Sequence, residues 1–228
     1  MTRFLVVVPT HRLHLSKDTI ERLRESLTYP TEFHQLDGRP SKCHAINRAL
    51  TEILDPSKHD IYCTVDDDLI LPENWQHFIA CAFDRVPRLG ICGIDYAGTT
   101  EGESLMAAGM QSPLRQVRDI RFRDTIGFQN VAGGNMAMPT RIAKRVGPYP
   151  FADDGRQYHV DEDGWRCHQV ATLGYRYGYV YNPNGVIEFV SYSDDPTYLN
   201  RRSADLLNWV QNPTWDNRSS QGTSKSET

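Results

Sequence analysis

Four short apolar runs, at residues 4–8, 32–36, 61–65 and 89–94, alternate with stretches whose apolar residues recur every three or four positions. The run Phe4 to Val8 is continuous and mostly β-branched, as in a strand covered on both faces, and Pro9-Thr10 stop it. Ser16 can cap a helix that places Ile20, Leu23 and Leu27 on one face and ends at Tyr29-Pro30. A second strand over 32–36 ends at Asp37-Gly38. Pro40-Ser41 then open a helix carrying Ala45, Ile46, Ala49, Leu50, Ile53 and Leu54, closed by Asp55-Pro56. After the strand over 61–65, Pro72 starts an amphipathic helix with Trp75, Phe78, Ile79, Ala82, Phe83 and Val86 on its apolar face. This β-α-β-α-β-α-β order predicts a mostly parallel sheet with helices on both faces, whose ligands bind beyond the carboxyl ends of the strands. Three such ends, Pro9-Thr10-His11-Arg12, Asp37 and Asp66-Asp67-Asp68, are expected to converge on one crevice.

Beyond residue 95 the pattern loosens. Residues 98–115 read as a loop, and 117–123 alternates enough to predict one exposed strand. A short helix over 140–146 is ended by Gly147-Pro148. Asp161-Glu162-Asp163 precede a helix bearing Trp165, Val170 and Leu173, with Gly174 as its C-cap. Runs at 175–181 and 186–192 read as a pair of strands around the turn Asn182-Pro183-Asn184-Gly185. Asp195-Pro196 open a last helix with Leu199, Leu206, Leu207 and Val210, and the polar segment 213–228 is expected to be a disordered tail. The expected organisation is a single α/β domain over 1–212, with one half over 1–95, a second half over 96–212 and a small antiparallel element in the latter.

Composition narrows the function. A net charge of −4 argues against a general nucleic-acid binder and against charge-held attachment to anionic lipid. No apolar run approaches the roughly 20 residues that cross a bilayer, so a cytoplasmic protein without a transmembrane segment is expected. The start Met1 to Val8 is too short an apolar run for a secretory signal and reads as the first strand. Five dispersed cysteines, Cys43, Cys63, Cys81, Cys92 and Cys167, suit reduced buried thiols. The basic set Arg115, Arg118, Arg121 and Arg123 is a solvated face, or else a surface for an anionic acceptor.

The chemistry concentrates in two acidic stretches. Asp66-Asp67-Asp68 follow a buried strand, where three adjacent anions repel unless something positive is held. Asp66 and Asp68 would point the same way in an extended segment, so one can bind a divalent cation while the other reaches a ligand hydroxyl or a metal-bound water. The plainer alternative is a solvated acidic turn or a helix cap. Asp161-Glu162-Asp163 sit at a helix N-terminus, where they either complement the helix dipole or supply a general base.

The order of these features resembles that of the family 2 glycosyltransferases, which have the GT-A fold. Val7-Val8-Pro9-Thr10 is similar to that family's first strand, and Cys43-His44-Ala45-Ile46-Asn47-Arg48-Ala49-Leu50 to its A-x-N-x-A helix. Val65-Asp66-Asp67-Asp68 with Pro72-Glu73-Asn74-Trp75 resembles its D-x-D and P-x-W segments. Gly133-Gly134-Asn135-Met136-Ala137-Met138 and Val146-Gly147-Pro148-Tyr149 resemble its acceptor side, and Glu162-Asp163-Gly164-Trp165 with Gly174-Tyr175 its E-D helix. The resemblance implies a GT-A-type (Rossmann-like) fold with a nucleotide-sugar half and an acceptor half. It implies metal-dependent, inverting sugar transfer from a nucleotide-diphosphate donor to an acceptor hydroxyl on a glycan, a lipid-linked or small molecule, or a modified nucleic acid. Asp163 would be the catalytic base with Glu162 beside it. Pro9, Thr10, Arg12, Asp37, Lys42, Asp66, Asp67, Gly134 and Asn135 would line the nucleotide-sugar site. Asp68 and Asp66 would hold Mn2+ or Mg2+, with Glu188 on the strand where many members carry a metal-binding His. A sugar nucleotidyltransferase is the alternative enzyme; it would want a glycine-rich loop after the first strand, where Pro9 to Leu13 has no glycine. A non-catalytic nucleotide- or glycan-binding protein on the same fold is the alternative outside enzymes.

Overall fold

The computed structural model describes residues 1–10, 16–39, 41–96, 112–125, 130–150, 162–185 and 187–190. Arg12, Asp161, most of the loop over 98–115, the helix after Asp195-Pro196 and the polar tail lie outside the described residues. Residues Met1–Val190 form one compact unit.

The first half follows the apolar pattern closely. Strand β1 (Phe4–Thr10) is buried along its whole length. Helix α1 (Lys17–Glu25) buries Ile20 and Leu23, and strand β2 (Thr31–Asp37) pairs with β1 in parallel, placing Thr10 opposite Asp37. Helix α2 (Lys42–Arg48) starts where the Ser41 hydroxyl accepts from the His44 backbone N–H at 3.2 Å. It runs into a π-helical turn, Ala49–Ile53, where the Leu54 N–H reaches the Ala49 carbonyl. A uniform helix was the expectation; the wider turn still buries Ala49, Leu50 and Leu54. Strand β3 (Ile61–Val65), strand β4 (Leu69–Ile70), helix α3 (Trp75–Arg85) and strand β5 (Leu89–Ile94) follow. Trp75 and Ile79 of α3 are fully buried, and Phe4 meets both Tyr29 and Trp75 edge to face.

The second half departs from the pattern in three places. Residues 117–123 are not one exposed strand. They belong to a hairpin of β6 (Arg115–Val117) and β7 (Ile120–Asp124), turned at Arg118 with φ 54°. Phe122 and Arg123 are buried, because β7 pairs with β9 (Arg176–Val180) and Arg123 forms a 2.8 Å ion pair with the buried Asp95. Strand β8 (Asn135–Pro139), which its Asn-Met-Ala-Met-Pro sequence does not advertise, lies at the centre of the sheet. Helix α4 (Thr140–Val146) and helix α5 (Glu162–Thr172) fall where expected. Finally β9 and β10 (Glu188–Phe189) are not a hairpin. Both edges of β9 are taken, by β5 and β7, so β10 pairs instead with β4 in a separate two-stranded sheet.

The main sheet has the order β2-β1-β3-β8-β5-β9-β7-β6. Six of its eight strands point one way; β8 and β7 run against them. The antiparallel β8 decides the site. Its first residue, Asn135, lies opposite Val65, the last residue of β3. The backbone just before β8 therefore meets the backbone just after β3.

Candidate functional site

The acidic stretch after β3 is a turn rather than an extended segment. The Leu69 N–H returns to the Asp66 carbonyl at 3.3 Å, and the Asp66 N–H donates to the Gly134 carbonyl at 2.9 Å. The three carboxylates are thereby dealt to different surroundings. Asp67 is buried and accepts from the Thr10 hydroxyl at 2.5 Å, while the Ser16 and Thr10 hydroxyls lie 3.2 Å apart. This ties the ends of β1 and β3 to the start of α1. Asp68 is half-buried, and its carbonyl accepts from the Val190 N–H at 2.8 Å. Asp66 faces the other way, toward the glycines that precede β8.

Gly133 and Gly134 are where the two acidic stretches meet. A Cβ on Gly134 would stand 2.9 Å from Asp66 Oδ2 and 3.0 Å from Leu69. A Cβ on Gly133 would stand 3.2 Å from both Glu162 Oε1 and Lys42 Nζ, and 3.4 Å from Asp163 Cβ. The carboxylates pack directly on bare backbone that only glycine leaves open. The Gly133 N–H donates to Asp163 Oδ2 at 3.3 Å, and the Gly164 N–H to Asp163 Oδ1 at 2.9 Å. Lys42, in the first turn of α2, closes the group: its ammonium is 2.6 Å from Asp66 Oδ1 and 3.3 Å from Glu162 Oε1.

The electrostatics follow from this packing. Burial raises the pKa of Glu162, and the Asp163 and Asp66 carboxylates add to it while the Lys42 ammonium works against it. Burial likewise raises Asp163, opposed by the Gly164 N–H, the Lys42 ammonium and the Gly133 N–H. Burial works to lower the Lys42 pKa, but Asp66 and Glu162 outweigh it and hold the amine well above its usual value. The result is a pair of acids that bind protons more readily than in water, next to a cation that stays charged.

The other residues singled out from the sequence lie around this group in different ways. Pro9 and Thr10 end β1 beside the acidic turn. Asp37, at the end of β2, is held by Arg39, whose Nε lies 2.9 and 3.0 Å from its two oxygens. Asn135 is buried and donates to the Ile94 carbonyl at 3.1 Å. Glu188 is exposed and paired with Arg22 at 3.3 Å. Among the described residues no three metal-ligating side chains gather closely enough to hold an ion, so Glu188 does not form a cluster with Asp66 and Asp68.

Three contacts around the site were not read from the sequence as such. The Asn47 amide makes two hydrogen bonds to the Tyr149 backbone, at 2.9 and 2.7 Å, joining α2 to the segment after α4. Arg166, one turn after Glu162 on α5, is buried; it stacks 3.9 Å from the Tyr149 ring centroid and donates to the Gly147 carbonyl at 2.6 Å. Burial pushes the Tyr149 hydroxyl up to about 12, against the Arg166 charge. An arginine in an amphipathic helix carries no sign in the sequence that it turns inward.

The sequence matches no protein-family model and no curated protein. Among solved structures, the chain is similar to a mannosyltransferase from Pyrobaculum calidifontis in complex with GDP-Man and Mn2+. The likeness has 17% identity and a TM-score of 0.59, and covers 95% of this chain and 65% of that one. It is also similar to a 4-diphosphocytidyl-2C-methyl-D-erythritol synthase from Anaerococcus prevotii at 10% identity, covering 88% of this chain and 99% of that one. The TM-score of 0.42 is too low for that second likeness to bear on the fold. The first shows that this chain has a glycosyltransferase-like α/β fold and spans about two thirds of that protein's length.

Proposed function

We propose that the chain transfers a sugar from a nucleotide-diphosphate donor to an acceptor hydroxyl, with inversion at the anomeric carbon. The observation that carries this reading is the meeting of Asp66, Lys42, Glu162 and Asp163 around Gly133-Gly134, at the carboxyl end of β3. In an α/β sheet this is the edge where ligands bind. The mannosyltransferase likeness supports a fold suited to such donors.

In this reading Asp163 is the general base. The acceptor oxygen attacks the anomeric carbon, its proton passes to Asp163, and the bond to the diphosphate oxygen breaks with its electron pair. A carboxylate whose pKa is raised by burial is better matched to that task near neutral pH than a solvated one. Gly133 N–H holds Asp163 Oδ2 and leaves the carboxylate one orientation. Lys42, held between Asp66 and Glu162, opposes the rise in the Glu162 pKa and would offer positive charge to the diphosphate.

Asp68, and Asp66 if released from Lys42, are the residues that would hold a hard divalent cation, with diphosphate oxygens and water completing its shell. When bound, such a cation would neutralise charge on the leaving diphosphate.

A screen of nucleotide sugars with Mn2+ for release of nucleoside diphosphate tests the reading. One donor giving turnover is expected, and release is expected to rise with the right acceptor. Binding of nucleotide sugars without release of any diphosphate would turn the reading into that of a binding protein.

A further inference from the structure

A charged cavity lies away from the acidic turn, where β1, β3, β5 and β9 begin. It has a volume of about 360 Å3, within the range of small-ligand sites. Its walls come from residues at or just before the starts of β1, β3, β5 and β9, from the last turn of α3, from the end of β8 and the start of α4, and from the β6–β7 turn that carries Arg118. The five-residue β3 alone separates it from the acidic turn by roughly 15 Å.

Its charges are unevenly matched. The two carboxylates in the wall are already engaged: Asp60 accepts from Arg3 through both oxygens, at 2.9 to 3.3 Å, and Asp84 lies 3.4 Å from Arg85. Arg85 itself is shared with Asp119. Arg88, Arg118 and Arg141 also line the cavity and are exposed. Among the described residues no carboxylate forms an ion pair with Arg88 or Arg141, and Arg118 has only its neighbour Asp119, which is already paired with Arg85. Three guanidinium groups around one concavity, on a chain whose net charge is −4, are not explained by overall charge. Planar guanidinium donors match phosphate oxygens in pairs.

We propose that this cavity binds a phosphate-bearing anion through Arg88, Arg118 and Arg141. The site does not rest on the glycosyl-transfer reading, and its position excludes it from that reaction's donor pocket. The phosphate has two possible sources, a soluble phosphorylated molecule or a lipid headgroup.

Calorimetric titration with inorganic pyrophosphate in metal-free buffer tests it, on the wild type, on Arg88→Gln/Arg118→Gln/Arg141→Gln and on Lys42→Gln. One saturable site is expected, kept in Lys42→Gln and weakened about tenfold for each arginine removed. Because the Arg88 side chain lies against Gly174, the Arg118→Gln/Arg141→Gln variant is measured beside the triple variant and should lose affinity in proportion. No binding to the wild type, or binding kept in the triple variant and lost in Lys42→Gln, would overturn the proposal. Sedimentation with phosphatidylcholine vesicles containing phosphatidic acid, lost in the triple variant, assigns the phosphate to a headgroup. Pyrophosphate binding without sedimentation assigns it to a soluble molecule.

Discussion

Replacing Lys42 by methionine isolates the charge that holds the two acidic stretches together. The methionine keeps the stem and removes the ammonium, leaving Asp66 and Glu162 on bare backbone with no cation between them. The side chains of Lys42, Asp66 and Glu162 are 21%, 32% and 15% exposed, so the pair lies between a surface ion pair and a fully buried one. Exposed pairs contribute about 0–1 kcal/mol, and breaking a buried pair costs about 3–5 kcal/mol. A loss of about 2–3 kcal/mol is expected at neutral pH, which for a domain of this size lowers Tm by about 4–12 °C. The loss has a definite pH dependence. Burial raises the folded-state pKa of Glu162 and Asp163, and Lys42 opposes that rise. Without Lys42 both pKa values rise further, so on acidification both acids take up protons at higher pH than in the wild type. The deficit should therefore be largest near neutral pH and shrink as pH falls through the raised carboxylate range. Urea unfolding of both proteins at several pH values in metal-free buffer measures it. A deficit below about 0.5 kcal/mol, or one that does not change between neutral and acidic pH, would refute the bridging role.

Three further outcomes are expected. Thr10→Val removes the hydroxyl that donates to the buried Asp67, and should cost about 1–3 kcal/mol in thermal unfolding; an unchanged Tm would mean the contact contributes nothing. Gly178→Ala places a methyl 2.1 Å from the Arg123 carbonyl and 2.7 Å from Phe122, where β9 passes β7. It should destabilise by about 1–3 kcal/mol through overpacking, and a neutral result would contradict the close approach of these strands. Once a donor is found, turnover should fall as pH drops through a pKa above the ordinary aspartate range, because the base must be ionised and burial holds Asp163 in its protonated form to higher pH. A rate constant down to the usual aspartate pKa would contradict the assignment of Asp163.

The parts of the fold written in local patterns were legible. The run Ile61–Val65 and the α3 face ending at Val86 appear in the structure as the apolar spacing predicts, because each buries its own side chains whatever its neighbours do. Pairings that depend on distant partners were not. β8 is built of Met and Ala, with little strand preference, and exists because β3 and β5 offer it edges. β10 turns away from β9 for the converse reason, since no edge is left there. The same holds at the site. The sequence marked Asp66, Lys42, Glu162 and Gly134 one by one, but the salt link through Lys42 joins α2, the turn after β3 and the start of α5, which no local signal brings together. Arg123, expected on a solvated face, is buried, and so is Arg166, which the sequence does not single out.

The central claim is that the turn after β3 and the start of α5 form one nucleotide-sugar site with separable roles. Calorimetry with a nucleoside diphosphate, set beside donor turnover, on Asp66→Asn and Asp163→Asn tests it most directly. Asp66→Asn is expected to weaken nucleotide binding at least about tenfold, the worth of one charge-assisted contact. Asp163→Asn is expected to keep binding and lose transfer. Turnover of Asp163→Asn near the wild-type rate, or nucleotide binding indifferent to Asp66, would contradict it.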